Sequence, residues 1–183
     1  MAEQRVSGRY AKSLIDLAIE QNKLEAIYAD ILAFKSAIDA NPALGLLFKS
    51  PIVKGDKKLA VIKKVFAASF DPITISFLEI VIRKKREYYL PDIALAFIGQ
   101  YYDINKITTA NVKTAIAVSD DVIAEVRAFI EKQTGKKVIL ETSVNPELIG
   151  GLVIQMEDKL YDASISGKLR KAKQELLNTY ISK

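Results

Sequence analysis

The spacing of apolar residues changes once along this chain, close to Lys106, and this change restricts the possible folds more than any other feature. Before it, apolar residues recur every three or four positions, as on one face of a helix; Leu24, Ile27 and Ile31 are examples. After it, apolar and polar residues alternate over residues 111–118, which is the period of a half-buried strand. The sequence therefore predicts an α+β protein, with a helical bundle at residues 1–105 and a small α/β domain at residues 106–183.

Turn and capping residues divide the first part into about six helices. A short joint at residues 21–23 separates two antiparallel helices, and Pro42 suits the first position of a brief third helix. Asp56 and Asp71 are predicted to cap the next two helices, and Pro91 opens the last one. Short helices in this order predict a compact bundle.

The second part is predicted to form a short β-sheet with two helices. A helix that begins at Ser119 and ends at Gly135 separates the first two strands, and a hairpin then leads into a C-terminal helix. A joint over residues 104–110 is predicted to connect the two domains. The predicted strands cover residues 111–118, 138–144, 152–156 and 160–163, and the last helix covers residues 166–181.

Composition excludes several kinds of site. The chain has no Cys and no His, which rules out disulfides, Cys/His zinc sites and catalytic triads with an imidazole base. A P-loop needs a glycine five residues before its Gly-Lys pair, but Ile130 and Asp162 stand at those positions before Gly135 and Gly167. Acidic residues stand mostly beside lysines on helical faces, as solvated side chains do. Composition leaves paired-carboxylate chemistry open, but no constellation of residues indicates it, so we expect no catalytic residue, no metal and no cofactor.

The most specific stretch is ELIGGLVIQMEDKLYDASISGKL, at residues 147–169. Gly150 and Gly151 can bring the backbone close to a neighbour or introduce a bulge as the chain enters a strand. Asp162 and Ser164 have short polar side chains that can satisfy backbone amides where the hairpin gives way to the helix. The requirements of a strand–turn–helix architecture account for these residues, and contact with a partner is the alternative.

Three motifs show a resemblance to a known family. RYAKSLIDLA at residues 9–18 looks like the family's opening helix, and RKKREYYLPDIALAFIGQY at residues 83–101 resembles its segment in which arginine precedes a Leu-Pro-acidic-Ile helix start. In this respect the whole chain resembles the delta subunit of bacterial and chloroplast F-type ATP synthases, equivalent to the mitochondrial oligomycin-sensitivity-conferring protein. The third and most specific motif contains Gly150, Gly151, Asp158, Asp162, Ser164 and Leu169 at the family's spacing.

One position departs from the family pattern. Many members have Gly before the turn aspartate, where this chain has Glu157. Glycine relaxes φ in a tight hairpin, so Glu157 predicts another turn type or a longer loop.

The resemblance implies a non-catalytic stator subunit. In that family the N-terminal bundle binds N-terminal helices of the head's alpha subunits, and the C-terminal domain meets the membrane-anchored b subunits of the peripheral stalk. The implied location is the cytoplasmic face of a bacterial inner membrane, with membrane contact only through partners. The sequence agrees: no run approaches the ~18 uncharged apolar residues of a spanning helix, and residues 1–8 lack the apolar core of a secretory signal.

The resemblance also implies which residues meet the partners. An amphipathic helix of the alpha subunit would lie between the first and fifth helices, whereas internal packing is the alternative for each apolar residue there. The last helix would meet the b subunits through its apolar stripe and its cations, and solvation is the alternative for those charges. The alpha-subunit residues are Tyr10, Leu14, Leu17, Phe77, Ile80 and Val81; the b-subunit residues are Lys168, Arg170, Lys171 and Lys173.

A basic nucleic-acid-binding module is the competing hypothesis. The formal charge is +5, and the cationic run at residues 83–86 leads into Tyr88 and Tyr89, which could stack on bases. Those cations fall at the end of a predicted helix, where they complement its carbonyl end, and no helix–turn–helix pattern is present. We therefore expect no nucleic-acid partner. Direct lipid binding by the basic last helix is a weaker alternative, since that helix has no Trp or Phe.

Overall fold

The computed structural model describes residues 2–156 and 159–181, which form two compact units that divide after Ile104. Within the described part, the first unit consists of six α-helices, as the sequence predicted, and a single 3-10 turn over Glu87–Tyr89 precedes the sixth. The helices are α1 (Ala2–Glu20), α2 (Leu24–Ala40), α3 (Pro42–Lys49), α4 (Gly55–Phe66), α5 (Pro72–Arg83) and α6 (Leu90–Asn105).

Apolar stripes at helical spacing close the bundle. Phe34 of α2 lies at its centre, with ring centroids 5.8 Å from Phe48 and 5.5 Å from Phe66, so α2, α3 and α4 meet through aromatic contacts. Burial of each such ring stabilises the fold by roughly 2 kcal/mol. Other fully buried side chains are Leu14, Ile27, Ile31, Ile62, Leu78, Leu90, Ile93 and Phe97.

The start of α5 is tied to α2 by carboxylates. Asp30, which is buried, accepts hydrogen bonds from the Asp71 backbone amide at 2.8 Å and from the Thr74 hydroxyl at 2.7 Å. Asp71 caps α5 by accepting from the Ile73 amide, as predicted, and pairs with Lys23 at 2.8 Å. The hydrogen bond from Lys23 and the one from the helix amide lower the pKa of Asp71. These contacts hold α5 in a defined position on the bundle.

Two predicted helix starts are shifted. Helix α4 begins at Gly55, so Asp56 lies in its first turn and interacts with the helix dipole without capping it. Helix α6 begins at Leu90, because the preceding 3-10 turn already directs the chain, and Pro91 is its second residue. The other end of α5 closes with Lys85 at φ 56, and the Arg86 amide donates to the Val81 carbonyl at 3.0 Å. This is a Schellman closure with lysine at the left-handed position.

A cluster of tyrosines joins α2 to α6. Tyr28 stacks on Tyr101 with ring centroids 3.8 Å apart, and the Tyr101 hydroxyl donates to Glu25 at 2.7 Å. Burial raises the pKa of Tyr101 to about 12. Burial and the neighbouring Tyr102 hydroxyl also raise the pKa of Tyr28.

We expect this cluster to make the bundle sensitive to alkaline pH. The folded state holds the phenol of Tyr101 neutral up to about pH 12, whereas the unfolded chain ionises near pH 10, so its contribution to stability is complete below pH 10 and is lost as pH rises towards 12. Urea unfolding of the wild-type chain and of Tyr101→Phe should show a stability difference that shrinks between these values. A difference that stays constant over this interval would contradict the prediction.

The second unit is a four-stranded mixed sheet with two helices, as predicted. Strands lie in the order β2-β1-β3-β4; β1 pairs in parallel with β2 and antiparallel with β3, and β3 and β4 form the predicted antiparallel hairpin. The crossover from β1 to β2 is helix α7, which ends at Gly135 in the left-handed conformation. The elements are β1 (Ile107–Thr114), α7 (Asp120–Thr134), β2 (Lys137–Val144), β3 (Leu152–Met156), β4 (Lys159–Asp162) and α8 (Ile165–Ile181), with a 3-10 turn over Pro146–Leu148.

The core of this unit lies between α7 and one face of the sheet. Ile130 of α7 packs with Ala110, Val112 and Ile154, all buried. The first strand lies four residues earlier than predicted, and residues 107–110, predicted as a joint, are its first half. Strand pairing decides the position of β1, because β2 and β3 pair with it only as far as Thr114. Beyond it the chain turns, and the predicted strand residue Ile116 is exposed.

The length and apolar content of the described helices decide whether any of them could span a membrane. No single one of them is long and apolar enough to cross a bilayer. Helices α2 and α3 reach the required length and composition only as a pair, with a bend of 100° between them.

Candidate partner-binding surfaces

Tyr10 and Phe77 join α1 to α5. Their rings meet edge to face with centroids 6.4 Å apart, so the two helices that the resemblance implicates are in contact. Tyr10 is half-buried, and two further predicted residues point outwards: Leu17 is 39% exposed and Ile80 is 51% exposed. We name Tyr10, Leu17 and Ile80 the outer anchors of the α1/α5 face.

The other three predicted residues of this face lie in the bundle core. Leu14 and Val81 are fully buried, and Phe77 is nearly so. Their apolar stripe closes the bundle, because helix periodicity places core residues directly beside the exposed ones. A partner can reach Leu14 or Val81 only if the bundle rearranges.

A shallow groove of about 350 Å³ lies beside Tyr10. Val6, Arg9 and Ser13 of α1 line it, together with Arg86 from the turn after α5. Val6 and Ser13 were not among the predicted site residues. Val6 lies one turn before Tyr10, so extending the apolar stripe towards the N-terminus would have found it, whereas the polar Ser13 gave no such signal. The two arginines make this groove basic, which suits a partner helix that carries acidic residues next to apolar ones.

Asp162, Ser164 and Gly167 build the junction between the β3–β4 hairpin and α8. Asp162 accepts hydrogen bonds from the Ser164 amide at 2.9 Å and from its hydroxyl at 2.5 Å, and both bonds lower the pKa of Asp162. The Ser164 hydroxyl oxygen accepts from the Gly167 amide at 3.0 Å, so the buried Ser164 caps the helix. A Cβ on Gly167 would lie 2.4 Å from the Asp162 carboxylate, which explains glycine at this position.

Gly150 and Gly151 lie against the same junction. Gly151 has φ +75, and a Cβ there would lie 2.5 Å from the Ala163 carbonyl oxygen. Gly150 accepts a hydrogen bond from the Ile165 amide at 3.0 Å. The two glycines therefore permit the close backbone approach anticipated from the sequence. Glu157 and Asp158, which the sequence places in the hairpin turn, lie outside the described residues.

Leu169 differs from these neighbours because it faces outwards. It is 59% exposed, and Ile165 and Leu176, one and two turns away on the same side of α8, are exposed as well. The predicted cations Lys168, Arg170, Lys171 and Lys173 are all exposed around this stripe. The side chain of Tyr180, four residues after Leu176, lies outside the described residues. Helix α8 thus presents an uncovered apolar stripe bordered by positive charge.

Among residues 2–156 and 159–181, no group of acidic side chains is placed as ligands for a metal ion. The candidate surfaces described above consist of apolar anchors and cations, which recognise other macromolecules by shape and charge.

Comparisons with known proteins agree with the resemblance. The family model described as ATP synthase delta (OSCP) subunit matches residues 6–176. An ATP synthase subunit delta from Amoebophilus asiaticus is 36% identical over 172 residues, which cover 93% of this chain and 94% of that protein. One from Cytophaga hutchinsonii is 34% identical over 182 residues and 100% of both chains.

A chain in the structure of the Toxoplasma gondii mitochondrial ATP synthase hexamer has the same fold. The TM-score is 0.68 at 24% identity, with 93% of this chain and 97% of that chain covered. This likeness concerns the fold, whereas the family match extends through both units of the sequence. The chain therefore belongs to the ATP synthase delta (OSCP) subunit family.

Proposed function

We propose that this chain is a peripheral-stalk (stator) subunit of a proton-translocating F-type ATP synthase. It would join the catalytic head to the membrane-anchored b subunits and resist the torque of the rotor. The observation that carries this proposal is the family match over residues 6–176, which includes both units. Each unit also carries its own exposed apolar surface bordered by cations, as a connector between two partners requires.

The first unit would bind the N-terminal helix of an alpha subunit along the α1/α5 face. An amphipathic helix could lay its apolar face on the outer anchors Tyr10, Leu17 and Ile80, which are half-buried or exposed. Arg9 and Arg86 flank Tyr10 and would pair with acidic residues of that helix. Tyr10 is already held in place by Phe77, so it loses little freedom on binding.

The second unit would bind the b subunits through α8. Leu169 and Leu176 form a stripe that can enter the seam of a coiled coil, and the surrounding cations suit the acidic positions beside such a seam. The capped junction at Ser164 fixes the direction in which α8 leaves the sheet. A rigid start matters here, because force must pass from the helix into the sheet.

The proposed mechanism is mechanical and assigns no chemical step to this chain. Torque on the head would be resisted at two protein interfaces, and stiffness within each unit would limit the loss of coupling. The proposed location is the cytoplasmic face of a bacterial inner membrane, where the partners would hold the chain. The matches give no support to the nucleic-acid alternative.

The proposal is tested by calorimetric titration into two partners, the catalytic head stripped of its delta subunit and the soluble part of the b subunits. Two variants are compared with the wild-type chain: Ile80→Glu on the α1/α5 face, and the pair Leu169→Ser with Leu176→Ser on α8. We expect Ile80→Glu to weaken head binding by about 5- to 30-fold, since an exposed anchor contributes about 1–2 kcal/mol. Binding to the b subunits should remain unchanged.

The α8 variant should show the opposite pattern and serves as the matched control, because both variants alter exposed residues and keep the cores intact. One chain per head is the expected stoichiometry. Tyr10→Ala should also weaken head binding, and its thermal unfolding would be measured because it loses the contact with Phe77. Heat indistinguishable from dilution for the wild-type chain with both partners would refute the stator function.

A further inference from the structure

A cavity of about 820 Å³ lies in the first unit, apart from the residues that line the α1/α5 groove. The loop between α3 and α4, the first turns of α4, and the turn between α5 and α6 form its walls. Half-buried Val53 and Leu59 lie at its apolar base with the buried side chains of Phe48 and Ile82. We call it the basic cavity, for the charges described next.

Cations dominate the rim of this cavity. Lys49, Lys54, Arg83 and Lys85 line it and are exposed, against one exposed carboxylate, Asp56. Of these cations, Arg83 also pairs with Glu79 on its own helix, at 2.7 Å. The positive N-terminal end of α4 faces the same space, since Gly55 is among its lining residues.

Two further charged residues that line the cavity, Lys58 and Glu87, neutralise each other. Lys58 is buried and donates to Glu87 at 2.9 Å, and it also donates to the carbonyls of Phe48 and Ser50. Because this pair cancels within the protein, the charge that a ligand meets is that of the rim, and that charge is positive. The pair also anchors the loop against the α5–α6 turn, so the cavity has a fixed base.

Helix closure divides the basic run of residues 83–86 between two sites. Arg83 and Lys85 line the basic cavity, whereas Arg86 lines the α1/α5 groove and its guanidinium lies 6.0 Å from the ring of Tyr89. The left-handed conformation of Lys85 causes this division, because it reverses the chain at the end of α5. Nucleic acid needs a continuous cationic track with open stacking faces, which this division does not provide.

We propose that the basic cavity is a second docking site on the first unit, for an acidic, amphipathic peptide segment of a partner protein. Charge complementarity selects the occupant: its carboxylates would pair with Lys49, Lys54 and Lys85, and an apolar side chain would cover Val53 and Leu59. A cavity of this volume has room for several residues, and its apolar base offers nothing to an inorganic anion. The exposed Ile52 on the same loop adds apolar surface at its edge.

The test uses fluorescence polarisation of a labelled peptide of about twelve residues, made of glutamates with leucines at helical spacing, at about 50 mM salt. The cavity variant is Lys49→Gln, Lys54→Gln and Lys85→Asn, since Asn tolerates the left-handed conformation. The control variant Lys12→Gln, Lys64→Gln and Lys132→Gln removes the same charge from exposed lysines elsewhere. Circular dichroism melts establish that both variants are folded.

In the Tyr10→Ala chain, where the α1/α5 groove has lost its apolar anchor, we expect saturable peptide binding that the cavity substitutions weaken about tenfold or more and the control substitutions by less than about twofold. Because Tyr10 lines the α1/α5 groove and not the basic cavity, binding that persists in Tyr10→Ala and is lost with the cavity lysines is separate from the groove and from the stator function. Replacing the leucines of the peptide with serine should also weaken it. Equal losses in both triple variants would overturn the proposal, as would equally tight competition by tripolyphosphate, or binding to phosphatidylglycerol vesicles that only the cavity variant loses.

Discussion

Replacing Lys58 with methionine is expected to lower the free energy of unfolding of the helical unit by about 3–5 kcal/mol. Lys58 is 1% exposed and makes three hydrogen bonds, to Glu87 and to the carbonyls of Phe48 and Ser50. Methionine fills similar space, so the loss comes from leaving a carboxylate and two carbonyls without their donor. Urea unfolding followed by helical circular dichroism measures the effect.

The double variant Lys58→Met with Glu87→Leu is its control. Removing both charges leaves no unpaired ion, so we expect it to recover a large part of the stability that the single variant loses. Glu87→Leu alone should also destabilise, because it leaves the ammonium group buried without its carboxylate. A single variant as stable as the wild-type chain would show that Lys58 is not paired inside the bundle.

The second large loss of stability is expected in the α/β unit, when Gly151 is replaced. A Cβ at this position would lie 2.5 Å from the Ala163 carbonyl oxygen, and φ is +75, where other residues are strained. We expect Gly151→Ala to cost about 3 kcal/mol or more, from the left-handed conformation and from the collision together. Because the Ala163 amide bonds to the Leu152 carbonyl, the displacement would separate the start of α8 from β3.

Hydrogen exchange of the backbone amides shows which of the two units loses stability in Gly151→Ala. Amides of β3 and β4 should exchange faster in Gly151→Ala, while those of α2 and α5 keep their wild-type rates. Gly99→Ala is the matched control, since a Cβ there meets no atom within 4 Å and alanine favours a helix by about 1 kcal/mol. Unchanged protection of the sheet in Gly151→Ala would mean that the hairpin and α8 can separate without cost.

The same junction bears on the proposed transmission of force. Asp162, Ser164 and Gly167 fasten the start of α8 to the hairpin through short hydrogen bonds. Further along the helix, Leu169 is 59% exposed and Leu176 is 63% exposed. An anchored start and a free apolar stripe suit a helix that is completed by a partner, and a stator would transmit load through that anchor.

The spacing of apolar residues in the sequence determined much of the fold. The change of period near Lys106 predicted two units, and Asp71 and Gly135 predicted a helix start and a helix end, because capping depends on neighbouring residues alone. The motif around Gly150 and Gly151 identified the family. Local rules were sufficient where the controlling contacts lie within one turn or one hairpin.

Tertiary structure decided which of the apolar residues are available to a partner. Leu14, Leu17, Ile80 and Val81 were all predicted on the apolar faces of the first and fifth helices. In the fold, Leu14 and Val81 are buried, whereas Leu17 and Ile80 are exposed. Strand pairing also decided where β1 begins, because its register depends on β2 and β3. Lys58 was indistinguishable from the surface lysines around it, since burial of a charge depends on Glu87, which is 29 residues away in the chain. Such outcomes depend on contacts between distant residues, which only the folded chain brings together.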